Sequence, residues 1–206
     1  WIYDENSYPS GFAGGWVPEV MPESVGRGLT FKETDKPAEI PTSAVAVYRM
    51  TENGFENITG QFQAKEQLGA GRFLYAEVVR AEPSPWHGGR PYVDLIYPGV
   101  TEKFLEVTLD AYEREVGNWF GSRIPGSFTD EPRLLAAGQI SWTDDLAECF
   151  RKEYGYDLLD QLPSLIRPVG DWKRVRHDYY RLLLNLFIEY QIPSDLLSYD
   201  GPPEAP

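Results

Sequence analysis

Two short stretches hold the residues best suited to chemistry. Tyr3-Asp4-Glu5 lies near the start of the chain, and Phe128-Thr129-Asp130-Glu131-Pro132 lies well past its middle. Each is an apolar strand pattern that ends in Asp-Glu and passes straight into a loop. Cleavage of a glycosidic bond needs a carboxylic acid to protonate the leaving oxygen. It also needs a second carboxylate to activate water or to attack the anomeric carbon. Glu5 and Glu131 are the candidate pair. A separation of about 5–5.5 Å would mean retention, and about 6.5–9.5 Å inversion. Asp4 and Asp130 stand beside them, close enough in sequence to raise the acid's pKa by like-charge repulsion. An Asp-Glu strand end can equally be a helix cap or a solvated loop, so the argument rests on there being two.

Further candidates for holding a sugar are spread along the chain. Ser10 and Gly11 open a backbone-rich loop that runs to Gly15. Trp86-His87 forms an aromatic–histidine turn that could stack on a ring or bond a hydroxyl. Asp94, at a predicted strand end, could bind a hydroxyl or pair with Arg90. Trp142 and Asp144 lie in a Trp-Thr-Asp-Asp segment. That segment also suits a helix N-terminus, where negative charge is stabilised. Other catalytic signatures are missing: there is no Gly-x-Ser-x-Gly elbow, no phosphate-binding glycine loop and no His-Glu-x-x-His zinc helix. His87 and His177 are the only histidines, and neither sits near a nucleophile.

The elements that must position these residues fall into two regimes. Residues 29–82 read as a small β insertion, with strands at 29–33, 44–50, 55–59 and 73–79. Asn53-Gly54 is a hairpin signal between the second and third. After residue 90 the pattern changes. A strand is expected at 92–97 and a long helix at 101–122, with Phe104, Leu105, Leu109, Tyr112, Val116 and Phe120 on one face. A strand at 124–128 follows, then helices at 143–154, 157–166 (interrupted by Pro163) and 171–190. Alternating strands and long helices imply a parallel sheet with helices outside. A full (β/α)8 barrel takes about 250 residues, and this chain has 206. The expected fold is therefore α/β, a partial (β/α)8 TIM-type barrel forming one domain over 1–206, with the β insertion at about 29–82.

Composition narrows the function. A net charge of −13 leaves no basic surface for phosphates, which excludes nucleic acid as a partner. No apolar run is long enough to span a bilayer. One cysteine, Cys149, excludes an internal disulfide and is expected to be a small buried hydrophobe. The start at Trp1 reads as mid-strand, which suggests a fragment. A periplasmic or secreted location is open if the native chain carries a signal peptide. Its partners would then include the remainder of the barrel, or a second copy.

The motifs also resemble glycoside hydrolase family 106, the α-L-rhamnosidase family. The resemblance rests on Tyr3-Asp4-Glu5 with Pro9-Ser10-Gly11-x-Ala13-Gly14-Gly15, then Val93-Asp94-Leu95, Phe128-Thr129-Asp130-Glu131-Pro132, Trp142-Thr143-Asp144-Asp145, Tyr154-Gly155-Tyr156-Asp157 and Arg176-x-Asp178-Tyr179-Tyr180. These occur in fixed order over most of residues 1–190. The resemblance implies a barrel-type catalytic domain that hydrolyses terminal α-linked rhamnose with inversion, with Glu131 as acid and Glu5 as base. It also implies calcium, for which Asp4, Asp130, Asp144 and Asp145 are candidates by residue type alone. Members of the family are much longer than this chain. Other readings are a carbohydrate-binding protein without catalysis and an inactive fragment of the hydrolase.

Overall fold

The computed structural model describes residues 1–3, 9–129 and 131–191. Its strands are β1 (Ile2–Tyr3), β2 (Arg27–Thr34), β3 (Ala46–Thr51), β4 (Gly54–Asn57), β5 (Phe73–Arg80), β6 (Ser127–Phe128) and β7 (Ile140–Ser141). Its helices are α1 (Trp16–Val20), α2 (Thr59–Gln63), α3 (Val100–Val107), α4 (Leu109–Val116), α5 (Leu146–Tyr154), α6 (Leu158–Ile166) and α7 (Trp172–Gln191).

The main sheet has the order β4-β3-β5-β2-β7, and every neighbouring pair in it is antiparallel. It curls into a half-barrel. This overturns the expected (β/α)8 barrel. β3 and β4 are joined by a two-residue turn, which allows only antiparallel pairing, and β5 then returns antiparallel between β3 and β2. Parallel neighbours would need a crossover helix between them. Among the described residues the one parallel ladder is β1–β6, two residues long on each side.

Strict alternation along the central strands explains why both faces of the sheet are covered. On β3 and β5, Ala46, Tyr48, Leu74 and Ala76 point to one side. They meet Leu146, Phe150, Leu158, Leu162, Tyr179 and Leu182 from α5, α6 and α7. Val47, Phe73 and Tyr75 point to the other side, against Ile40, Ala44, Ile58 and Leu68. A third apolar cluster joins Phe12 and Val17 to Tyr92, Val93, Leu95 and Val100.

Local chemistry sets several element ends. Thr51 pairs with Gly54 across a two-residue turn, where Asn53-Gly54 announced a hairpin. Asp157 caps α6 by accepting from the Leu159 N–H at 2.8 Å, and Gly155 closes α5 in the left-handed region. Pro163 does not interrupt α6. It removes the N–H that would bond the Leu159 carbonyl. The buried Tyr48 hydroxyl reaches across from β3 and donates to that carbonyl instead.

Two predicted elements differ. Residues 92–97 form no strand beyond a single bridge from Val93 to Val25. Asp94 turns the chain there: its Oδ1 accepts from the Ile96 N–H at 3.1 Å, and its carbonyl accepts from Tyr97. The helix expected over 101–122 is broken at Thr108, whose hydroxyl donates back to the Phe104 carbonyl at 2.6 Å. Such back-bonding competes with the helical ladder. The stripe predicted for the core is left partly outside it, with Tyr112 and Phe120 exposed. No described helix is long and apolar enough to cross a membrane.

Candidate functional site

The β1–β6 ladder pairs Ile2 with Ser127 and Tyr3 with Phe128. Because the strands are parallel, both run out at the same end. The chain therefore enters its two Asp-Glu segments from adjacent positions. Neighbouring strands lie about 4.8 Å apart. Tyr3 and Phe128 touch at the exit, with ring centroids 5.5 Å apart, and both are about half exposed. Trp1 precedes β1 at the other end of the ladder, lies against Gly126 and is 80% exposed. Tyr3 and Phe128 thus put open aromatic surface at the strand ends, with Trp1 two residues back.

Glu131 is exposed and carries a backbone φ of 26°. A positive φ is uncommon for a residue with a Cβ and costs on the order of 1–3 kcal/mol; such conformations cluster at active sites and ligand clamps. Glu5, Asp4 and Asp130 lie outside the described residues.

The remaining sequence candidates are distributed rather than gathered. Ser10 is fully buried, its carbonyl accepting from the Tyr92 hydroxyl at 2.6 Å. Gly11 sits at φ 109°, and a Cβ there would fall 2.7 Å from Leu95. This part of the loop is held inward, so its backbone is packing material rather than open surface. Trp86 is exposed on a 3-10 turn. His87 meets Phe12 edge-on and Tyr92 at a tilt, at centroid distances of 5.6 and 5.4 Å. Burial lowers its pKa and favours the neutral ring. Trp142 is buried in the main core and presents nothing to solvent.

Asp94 and Asp144 are joined through a residue the sequence reading passed over. Arg27, at the start of β2, pairs with exposed Asp144, donates to the Glu23 carbonyl at 2.8 Å and lies over the Tyr97 ring. Its Nε faces the interior with the buried Asp94 Oδ2 and Thr143 Oγ1, and none of the three has a hydrogen-bond partner of normal geometry. Burial pushes the Asp94 carboxyl up to about 6. The Ile96 N–H, Thr143 and Arg27 oppose that rise without cancelling it. A lone Arg between two glycines in a strand gives no sequence signal of this role.

Asp178 is a second buried carboxylate, bonded by Tyr156 at 2.9 Å and His177 at 3.0 Å. It ties the α5–α6 turn to α7. Burial tends to raise its pKa, but His177, Tyr156 and Arg174 hold it below the usual carboxylate value. Cys149 is half-buried, and burial pushes its thiol up, away from the reactive form. Among the described residues no group of three or more His, Cys, Asp or Glu side chains could hold a metal. Asp144 is committed to Arg27, so the described acids do not compose the calcium site that the resemblance implied.

No protein-family model, curated protein or solved structure matches this chain.

Proposed function

We propose that this chain carries the acid–base pair of a glycoside hydrolase acting on α-linked rhamnose, with Glu131 as general acid and Glu5 as general base. The observation that supports this reading most is the parallel register of β1 and β6, from which both glutamate-bearing segments depart at one end. The strained backbone of Glu131 and the open aromatic rings of Trp1, Tyr3 and Phe128 support it further. In the proposed mechanism Glu131 gives its proton to the leaving oxygen. Glu5 takes a proton from the water that attacks the anomeric carbon from the opposite face, so configuration inverts.

The test is release of nitrophenol from 4-nitrophenyl α-L-rhamnopyranoside by the full chain. Glu131→Gln and Glu5→Gln should each lower kcat by about 10²–10⁴-fold. A dinitrophenyl leaving group needs no proton and should restore turnover in Glu131→Gln but not in Glu5→Gln. Wild-type rates in both variants would overturn the proposal. The exposed aromatic rings also fit a protein that binds sugar without cleaving it; saturable sugar binding with no turnover by the wild-type chain would select that reading.

A further inference from the structure

We infer that a second carbohydrate-contacting site lies away from β1–β6, in the cleft between the turn of residues 13–16 and the break between α3 and α4. It takes one pyranose ring. The inference rests on the carbohydrate reading above for its substrate class, but on separate residues for its location.

The cleft has a volume of about 590 Å³, within the range of small-molecule sites. Its two aromatic walls are Trp16, 61% exposed, and Tyr112, 40% exposed. Large rings open to solvent on both sides of one depression are what the C–H faces of a pyranose stack on. Two polar side chains, Thr108 and Glu115, stand in an otherwise apolar lining of Ala13, Val107, Ala111 and Val116. Glu115 lies one turn from Tyr112 on α4, with its carboxylate available as a hydroxyl acceptor. Thr108 stands at the floor, where α4 begins with no side-chain cap because the Thr108 hydroxyl is turned back to Phe104.

Both walls depart from regular backbone. Ala13 holds φ at 49° on one side, and Thr108 breaks a continuous helical pattern on the other. An unbroken helix over residues 101–122 would carry Tyr112 into the core stripe that the sequence periodicity lays out. The break is what leaves the ring in the cleft. A larger groove, of about 900 Å³ along residues 37–42 and 62–70, has Phe62 as its one aromatic side chain and no facing ring.

The experiment is calorimetric titration of the full chain with methyl α-L-rhamnopyranoside and with an α-linked rhamnose trisaccharide. Loss of one stacking wall should weaken the trisaccharide Kd by about tenfold. Trp16→Ala and Tyr112→Ala should each show this, and Trp16→Phe should recover most of it. Leu184→Ala, exposed on α7, should bind as wild type. Both wall residues are open to solvent, so the variants should keep the wild-type melting temperature. The wall substitutions made in a Glu131→Gln background should weaken binding by the same factor without turnover, which separates this site from the acid–base pair. If the chain binds sugar with no turnover and both wall variants lose binding, the cleft stands and the hydrolase reading falls. If the chain cleaves sugar and the wall variants match wild type in Kd and KM, the cleft proposal is overturned. Absence of binding by the wild-type chain to either sugar overturns it as well.

Discussion

Asp94 shows how one side chain can work in two ways. Its Oδ1 fixes a turn, and its Oδ2 sits in the interior beside Arg27 and Thr143. Its carboxyl rises from an ordinary 3.8 to about 6 because burial disfavours the charged form more than Arg27 favours it. The sign for stability follows. The fold prefers the protonated acid, so Asp94 contributes fully below about pH 4. That contribution is lost as pH rises through 6, by on the order of 3 kcal/mol. Asp94→Asn should flatten this part of the pH profile while keeping the turn acceptor. Urea midpoints at pH 4, 5, 6 and 7 measure it, and an unchanged profile in Asp94→Asn would assign the slope to other groups. Sequence inspection singled out Asp94 as a polar residue near a strand end. It could not identify Arg27 as its neighbour, because the two are 67 positions apart and meet only after β2 packs beside the 92–97 turn.

At the scale of elements, α6 illustrates how a proline is accommodated inside a helix. The Leu159 carbonyl that Pro163 leaves unbonded is satisfied by Tyr48 from the sheet. Tyr48→Phe should cost about 1–3 kcal/mol by leaving that part-buried carbonyl without its donor. Pro163→Ala restores a backbone N–H at the right position, so the Tyr48→Phe penalty should shrink when measured in that background. A double-mutant cycle in urea reads the coupling directly; additive effects would mean that the hydroxyl and the proline act independently. The sequence placed a short helix at 157–166. It read Pro163 as an interruption because the compensating donor belongs to another element. The same holds for 101–122, where the periodic stripe was visible but the Thr108 back-bond that cuts it was not.

For the whole molecule, the seam between the sheet and the rest of the chain runs through β2 and β7. Gly28 faces residues 137–140 so closely that a Cβ would lie 2.6 Å from the Gly138 nitrogen and 2.7 Å from the Ile140 carbonyl oxygen. β7 leads directly into Trp142 and α5, which lie in the main core. Gly28→Ala should therefore push β7 off the sheet and destabilise the fold by about 2 kcal/mol or more, since backbone cannot yield as a flexible side chain can. Hydrogen exchange at the Gln139 amide, which donates to Leu29 at 2.7 Å, should speed up with it. Wild-type protection in Gly28→Ala would show that the seam relaxes without parting. Glu33, bonded by both Arg72 and Arg167, links the sheet to the end of α6 at its partly exposed rim. Pairs of that kind contribute little, so the apolar cores carry the stability.

What the sequence determined by itself was local. Alternation of Val47 and Tyr48 or Leu74 and Tyr75, the Asn53-Gly54 turn, the Asp157 cap and the stripe of α7 depend on neighbours within a few residues, and each is present in the fold. It also marked out two Asp-Glu strand ends, and β1 and β6 do lie side by side and parallel. Strand direction and partner choice across the rest of the sheet were decided only in three dimensions. A two-residue strand such as β7 carries no period of its own, and an apolar run such as 92–97 can be buried without joining a ladder. Its residues are shared between two cores, with Tyr92, Val93 and Leu95 in one and Ile96 in the other. Periodicity reports which side of a segment is apolar. It does not report what covers that side, and the antiparallel half-barrel differs from the expected parallel barrel in that respect.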